Sequence, residues 1–238
     1  MIPSVSLVIS INVHEKPTFL MKQIDNITSF VKSDFVIILN CNDYMFEELK
    51  DNKSLPSYVY INHEVINKQT NHGSLMHGIY KNMLYALQYF NFQYFIILSS
   101  RNMFYNEITY EYILNKAPYH PHATNLSEWV WPHVRNTKLV QNYLNKSCNL
   151  YSTAHEGLIF SMNVCKNITN MLENNKEIRD ELFHFVAPVE EFALQTISMN
   201  EIDVDNKEFG WIHIGNGIHT ELVIPTDKTY AVYKTLRI

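Results

Sequence analysis

Glycine is scarce in this chain, with only six in 238 residues, and none of them belongs to a known phosphate-binding motif. No Gly-x-Gly-x-x-Gly follows the first apolar run, and no Gly-x-x-x-x-Gly-Lys-Ser/Thr occurs anywhere. These motifs bring backbone amides against phosphate groups, so their absence excludes the usual dinucleotide-binding and P-loop proteins. No Asp-x-Asp follows the apolar run at residues 94–98, so the usual paired carboxylates for a divalent cation are missing there.

Cysteine and positive charge are scarce as well. Cys41, Cys148 and Cys165 are widely spaced and form no Cys-x-x-Cys pair, which excludes a disulfide framework and predicts reduced thiols. The formal net charge is -5, and the lysines and arginines form no dense block. Because nucleic-acid binding requires clustered cations that neutralise phosphates, we expect no nucleic-acid partner.

Long hydrophobic runs are absent too. No apolar segment approaches the roughly 20 residues needed to span a membrane. Neither a basic segment nor a small-residue cleavage site precedes the first apolar run at residues 5–11. We therefore expect no membrane span and a cytoplasmic location. Hydrophobic residues make up 46% of the chain and charged residues 18%, with no visible linker or repeat, which predicts one globular domain over residues 1–238.

Short apolar runs alternate with amphipathic segments along the first hundred residues. We predict helices that begin at Pro17 and at Ser74, whose hydroxyl is expected to cap its helix, and a short helix at residues 45–49. The predicted strands are residues 5–11, 35–39, 58–61 and 94–98. This alternation predicts an α/β fold: a mainly parallel, twisted central sheet with helices on both faces and residues 94–98 at its centre.

The second half of the chain is less regular. We predict a helix capped by Asn106, one or two strands around Gly157, and a helix that begins at Pro188. The last of these places Glu190 and Glu191 in a first turn, where the helix dipole favours carboxylates and would keep Glu191 ionised at neutral pH. Simple helix-end electrostatics is the alternative explanation for the two acids.

Residues 117–132 are rich in proline, histidine and tryptophan, which predicts a long loop. Its His120-x-His122 pair raises the hypothesis of a metal-dependent hydrolase. No third ligand follows at a metal-site spacing, so a surface loop with two histidines is the favoured interpretation.

Polar side chains follow three of the predicted strands. Because ligands of open α/β sheets bind at the carboxyl ends of the strands, these residues are candidate ligand contacts. The alternative is that polar loops only satisfy their own backbone. The candidates are Asn12, Val13, His14, Asn42 and Asp43 for a nucleoside, and Ser99, Ser100, Arg101 and Asn102 for the pocket after the central strand.

Five segments, in the same order along the chain, resemble one enzyme family. Residues 7–14 are similar to a first strand that ends at a histidine, and residues 72–75 resemble a Trp-Gly-Gly-x-Ser-x-Val element. Residues 94–102 resemble Tyr-Phe-x-Leu-Leu-Ser-Gly-x-Asp, residues 157–161 an acceptor-side strand, and residues 188–197 Ser-Pro-Asp-Glu-x-x-x-x-Thr-Ile. The family comprises the inverting core 2/I-branching N-acetylglucosaminyltransferases, which share this pattern with peptide O-xylosyltransferases.

The resemblance implies a GT-A-like glycosyltransferase that moves a sugar from a nucleotide sugar to a glycan hydroxyl without a metal. A UDP-sugar is the first expectation for the donor, and no further cofactor is implied. In this family pattern Glu191 is the catalytic base, Glu190 a positioning group, and Lys234 and Arg237 stabilise the leaving diphosphate, with surface charge as the alternative interpretation of both cations. The residues implied for the donor and acceptor pocket are Gly73, Ser74, Ser99, Ser100, Arg101, Asn102 and Gly157.

The chain also departs from the family pattern. It has Ser99-Ser100 and Asn102 where the pattern has Ser-Gly and an aspartate, and Asn71 or His72 at the position of the tryptophan. These departures favour a second hypothesis: a catalytically inactive module of the same fold that binds a glycan or a nucleotide. The retained pair of acids favours the enzyme.

Overall fold

A six-stranded mixed sheet lies at the centre of the protein. The computed structural model describes residues 2–14, 16–116, 122–123, 131–201, 208–219 and 230–235. The strands are β1 (Ser4–Val13), β2 (Phe35–Cys41), β3 (Val59–Asn62), β4 (Asn91–Ser99), β5 (Asn102–Phe104), β6 (His122–Ala123), β7 (Tyr151–Ser152), β8 (Leu158–Ser161), β9 (Phe209–Trp211), β10 (His213–His219) and β11 (Val232–Thr235). The helices are α1 (Pro17–Phe30), α2 (Asp43–Leu49), α3 (Ser74–Tyr89), α4 (Tyr110–Lys116), α5 (Lys138–Asn145), α6 (Met162–Asn174), α7 (Lys176–His184) and α8 (Glu190–Glu201), with a 3-10 helix at Pro132–Asn136.

The strand order of this sheet is β3-β2-β1-β4-β8-β9. The first four strands of that order are parallel to one another, whereas β8 is antiparallel to both β4 and β9. The strand β4 lies between β1 and β8, so its apolar run at residues 94–98 is enclosed by strands on both sides. The prediction of an α/β fold with a mostly parallel sheet around residues 94–98 is therefore confirmed.

Helices cover both faces of the sheet, because successive side chains of a strand point to opposite sides. In β1, Val8 joins a buried core with α3, α6 and α8, whereas Ile9 joins a second buried core with α1 and α2. The helix α1 contributes Leu20, Ile24 and Ile27 to that second core, at the spacing of one helical face. Each such fully buried aliphatic side chain stabilises the fold by roughly 1.5–3 kcal/mol.

The prediction that the Ser74 hydroxyl caps α3 is wrong. The helix begins at Ser74, but its N-cap residue is Gly73, and the Ser74 hydroxyl instead accepts a hydrogen bond from the Gln69 amide at 2.9 Å. The Ser74 amide donates to Nδ1 of His72 at 3.0 Å, so an imidazole satisfies the start of the helix. Ser74 does not line the cavity that lies over the carboxyl ends of β1 and β4.

The predicted Asn106 cap is wrong as well. The Asn106 side chain donates to the Tyr230 carbonyl at 2.6 Å, and α4 begins only at Tyr110. The hydroxyl of Thr109 accepts from the Tyr112 amide at 3.0 Å and thereby caps this helix. Asn106 therefore connects two distant segments of the chain.

A second, three-stranded sheet with the order β10-β11-β5 adjoins the end of β4. The strand β11 pairs antiparallel with β5, which places Lys234 opposite Asn102. The three cysteines are free thiols, as predicted. Within the described ranges, no helix is long and apolar enough to cross a membrane.

Candidate functional site at the strand ends

A cavity of about 280 Å³ lies over the carboxyl ends of β1 and β4. Strand ends, the loop before α3, the loop before β8, the first turn of α8, and β11 form its wall. Six of the predicted site residues contribute to it: His14, Ser99, Arg101, Glu190, Glu191 and Lys234. The other lining residues are Lys68, Gln69, Thr70, Asn71, Leu75, His155, Glu156, Pro188 and His213.

The direction of β8 delivers two of these side chains. Because β8 is antiparallel to β4, with Ile159 opposite Ile96, the residues that precede β8 lie at the carboxyl end of β4. His155 and Glu156 are those residues. The backbone carbonyl of Glu191 accepts from the Thr153 amide at 2.9 Å, which fixes the first turn of α8 against the same loop.

Glu190 is buried, with only 1% of its surface exposed. Neither of its carboxyl oxygens has a hydrogen-bond partner among the described residues, and Nδ1 of His155 lies 3.5 Å from one of them. Burial raises the pKa of Glu190 well above its usual value, and the charges of Glu191 and Glu156 act in the same direction. This shift favours the neutral form of Glu190, which can donate a hydrogen bond.

Glu191, the next residue, is less buried. Burial raises its pKa to about 7, the negative charge of Glu156 adds to this increase, and Lys234 opposes it. The expectation that the helix dipole keeps this carboxyl fully ionised at neutral pH is wrong, because desolvation outweighs the dipole here. A carboxylate whose pKa lies near the working pH is well suited to accept a proton in catalysis.

Glu156 forms a salt bridge with Lys234 and is only 5% exposed. Burial alone would raise its pKa, but the electrostatic interactions with His155 and Lys234 together lower it to about 2. Burial also lowers the pKa of His155, which favours a neutral imidazole. We therefore attribute the ionised state of Glu156 mainly to Lys234.

The turn after β4 is held by the buried side chain of Gln23. Its amide nitrogen donates to the carbonyl oxygens of Ser99 and Asn102 at 2.9 and 2.8 Å. The Asn102 side chain in turn accepts from the Ser99 amide at 2.6 Å and is fully buried, so Asn102 shapes the turn without lining the cavity. Arg101 does line the cavity and donates to the Thr235 carbonyl at 3.5 Å.

Only one of the three predicted residues at the end of β1 reaches the cavity. Asn12 is buried and donates to the Leu75 carbonyl at 2.8 Å, and Val13 belongs to the apolar core. His14 lines the cavity, with the Ser100 hydroxyl 3.4 Å from its Nε2. Ser100 is itself buried beneath this imidazole rather than exposed to the cavity.

The residues at the end of β2 lie apart from this cavity lining. Asn42 is the N-cap of α2 and accepts from the Met45 amide at 2.9 Å. Asp43 is exposed and accepts from the Asn67 side chain at 2.6 Å. The structure thus gives both residues local partners and does not bring them to the cavity.

Two glycines of the predicted pocket lie behind its wall, where side chains have no room. A Cβ atom at Gly73 would lie 1.7 Å from the Leu182 carbonyl oxygen, within the backbone of α7. Gly157 has a φ of +78°, and a Cβ atom there would lie 2.8 Å from the His213 amide nitrogen. Both glycines permit close approach of two backbone segments.

Arg237 and His120 lie outside the described residues, and of the other predicted loop histidine, His122, only the backbone in β6 is described. Across the described part of the chain, no three His, Cys, Asp or Glu side chains are arranged to hold a metal ion.

Sequence inspection missed Lys68, His155, Glu156 and His213. One signal was available for two of them: the polar pair His155-Glu156 directly precedes Gly157, around which strands were predicted. Lys68 lies in the irregular loop between β3 and α3, where no periodicity marks a functional position.

No protein-family model matches this chain, and no curated protein matches it. The cavity and the resemblance of the short segments are therefore the two indications of function.

Proposed function

We propose that the chain is an inverting glycosyltransferase with a GT-A-like fold. It transfers a sugar, first of all from a UDP-sugar, to a hydroxyl of a glycan or a similar acceptor, without a metal ion. The observation that carries the proposal is the position of Glu191, with a pKa of about 7, in one cavity with Lys234 at the carboxyl ends of parallel strands.

The base in this proposal is Glu191. It takes the proton from the acceptor hydroxyl as that oxygen attacks the anomeric carbon, and the bond from that carbon to the diphosphate oxygen breaks on the opposite side. A base that is partly ionised at neutral pH can accept this proton and release it to solvent afterwards. The deeper Glu190, whose raised pKa favours its neutral form, donates a hydrogen bond that positions a sugar hydroxyl.

The leaving diphosphate needs positive charge as the glycosidic bond breaks. Lys234 and Arg101 are cations of the cavity wall that can supply it. In the structure Lys234 is paired with Glu156, which holds its ammonium group at the edge of the cavity. A diphosphate would share that ammonium group with the carboxylate.

The same salt bridge favours the second candidate, a binding module without turnover. A lysine that is already neutralised by a buried carboxylate has less charge to offer to a leaving group. In such a module the cavity would recognise a glycan or a nucleotide through its hydrogen-bonding groups alone.

A transfer assay separates these candidates. Purified protein is incubated with UDP-, GDP-, TDP- and CMP-sugars and a panel of glycan acceptors, and released nucleotide and extended acceptor are quantified. The enzyme proposal expects product with at least one donor. Ligand-induced stabilisation in a thermal-shift screen without any hydrolysis or transfer would establish the binding module instead.

The same assay in EDTA and in Mn²⁺ tests the metal-free mechanism. Because the turn after β4 carries no paired carboxylates, we expect equal rates under both conditions. A strict requirement for Mn²⁺ would contradict this part of the proposal and assign Asp43 or the carboxylates of α8 to a metal.

A further inference from the structure

Lys68 is a cation of the cavity wall that the proposed chemistry does not use. It lies in the loop between β3 and α3, and its ammonium group donates to the Ile66 carbonyl at 2.9 Å. Within the described part of the protein it forms no ion pair, in contrast to Lys234.

Two buried amides lie close to the outer end of this side chain. Asn12 and Asn40 are directly opposite each other in β1 and β2, and each is at most 4% exposed. Asn12 donates to the Leu75 carbonyl and Asn40 to the Glu64 carbonyl, both at 2.8 Å. Because only the NH₂ group can donate to a carbonyl, these bonds fix both amides, and both oxygens are left without a hydrogen-bond partner.

Both oxygens converge on Gly78 of α3. A Cβ atom at Gly78 would lie 2.3 Å from Oδ1 of Asn12, 3.0 Å from Oδ1 of Asn40 and 3.0 Å from Cε of Lys68. The lysine stem is therefore confined between helix and strand ends, beside two fixed oxygen atoms. Lys68 is at the same time a residue of the cavity wall.

The charges of the cavity point to an anion as the partner of this lysine. Lys68, Arg101 and Lys234 line the wall, the carboxylate of Glu156 is already paired with Lys234, and Glu191 is only partly ionised near pH 7. Burial lowers the pKa of Lys68 to about 7, so its charge lacks the compensation that a neighbouring carboxylate or phosphate would provide.

We propose that Lys68 binds a phosphoryl group of a diphosphate in this cavity. It contacts the anion from the side of β1 and β2, whereas Lys234 contacts it from the side of β4 and β8. A diphosphate has two phosphoryl groups, so one cation on each side of the cavity matches its charge. The assignment of this anion to a nucleotide sugar depends on the proposed function, but the anion site itself does not.

Calorimetric titration with inorganic pyrophosphate tests the site without reference to a sugar or a base. The variants are Lys68→Met, which keeps the length of the stem, Lys68→Arg, and Lys166→Met as a control at an exposed lysine of α6 outside the cavity. A charged hydrogen bond is worth about 1.5–3 kcal/mol, so we expect Lys68→Met to weaken binding by about tenfold to a hundredfold. Lys68→Arg should retain most of the affinity and Lys166→Met all of it.

Pyrophosphate that fails to bind wild-type protein, or that binds wild type and Lys68→Met equally well, would overturn the inference. Unchanged thermal unfolding shows that the variant is folded; if Lys68→Met does not fold, Lys68→Gln replaces it. Parallel titrations use uridine, which carries no phosphate, and UDP. Uridine should bind wild type and Lys68→Met with the same affinity, whereas UDP should bind the variant more weakly. An equal loss of affinity for uridine and UDP would assign Lys68 a structural role.

The transfer assay keeps the two proposals apart. Lys68-dependent pyrophosphate binding without any sugar transfer would uphold the anion site and defeat the glycosyltransferase. Sugar transfer together with a pyrophosphate affinity that does not depend on Lys68 would uphold the glycosyltransferase and defeat the anion site.

Discussion

The two sides of the cavity bury polar groups in different ways. On the carboxylate side, near β4 and β8, burial raises the pKa values of Glu190 and Glu191, whereas neighbouring groups lower the pKa of Glu156. On the amide side, near β1 and β2, Asn12 and Asn40 carry no charge and are each fixed by one backbone carbonyl.

The two sides of the cavity therefore have different roles: the carboxyl groups can transfer protons, and the amides determine the shape. Carboxyl groups whose pKa values differ can supply a base and an acid at one pH, which is what proton transfer requires. Amides do not titrate and therefore provide fixed dipoles and close packing. The following variants test whether the two sides have these separate roles.

Glu191→Gln should produce the largest effect, because it removes the proposed base from the carboxylate side. We expect the transfer rate to fall by about a hundredfold to ten-thousandfold, since an amide cannot accept the proton. Donor affinity, measured by calorimetry, should change little. Glu48→Gln, at an exposed position in α2, is the control.

Glu190→Gln is the matched comparison within the first turn of α8. A neutral amide can still donate a hydrogen bond, so this variant should keep far more activity than Glu191→Gln. If Glu191→Gln retained the wild-type rate, the base would have to be another residue.

Lys234→Met should give the next largest effect, because it leaves Glu156 buried and unpaired. Breaking a buried ion pair from one side costs about 3 kcal/mol or more of unfolding free energy. Urea denaturation should show this loss, and donor affinity and turnover should fall together. The double variant Glu156→Gln/Lys234→Met should recover much of the stability; simple addition of the two single losses would argue against the pairing.

The pH dependence of stability should distinguish the carboxylate side from the amide side. The pKa of Glu191 is raised in the folded state from 4.5 to about 7, so its contribution is full below pH 4.5 and is lost as the pH rises through 7. Between pH 4.5 and 8, wild type should lose on the order of 2–3 kcal/mol of unfolding free energy relative to Glu191→Gln. Parallel curves for the two proteins would contradict the raised pKa. An Asn40→Ala variant should follow the wild-type curve with a constant offset.

Gly78→Ala tests the amide side with the smallest expected effect. Alanine favours a helix by about 1 kcal/mol over glycine, but its Cβ atom would lie 2.3 Å from the fixed Asn12 oxygen. We expect a net loss of about 1–2 kcal/mol in urea denaturation. In an Asn12→Ala background the same change should cost less, and an equal cost in both backgrounds would show that the amide is not the obstacle.

The parallel part of the sheet was predictable because its strands are continuous apolar runs between amphipathic helices. Pro17 marked the start of α1 correctly, since its fixed φ suits a first helical turn. The cap of α3 was not predictable, because His72 and Ser74 compete for the same role and only the three-dimensional positions decide between them. The helix α5 follows a proline-rich sequence without hydrophobic periodicity and was not predicted.

The site shows the same limit. Glu190 and Glu191 were found because Pro188 lies just before their helix, which begins at Glu190 and not, as predicted, at Pro188 itself. Glu156 was missed because its place at the strand ends depends on the direction of β8, which local sequence does not reveal. The expectation that Glu191 stays ionised was wrong because burial by distant segments, which raises its pKa, outweighed the local helix dipole.

The backbone of Gly157 gives this site an internal reporter of local opening. Its amide donates to the Ile97 carbonyl at 2.7 Å, and its carbonyl accepts from the Ile212 amide at 3.0 Å, so it joins β4 to the segment between β9 and β10. A buried amide bonded in this way exchanges its hydrogen with solvent only when the surrounding strands separate. The rate of deuterium uptake at this single amide would therefore report how often these segments separate beside Glu156. A ligand that stabilises their hydrogen bonds would slow that uptake.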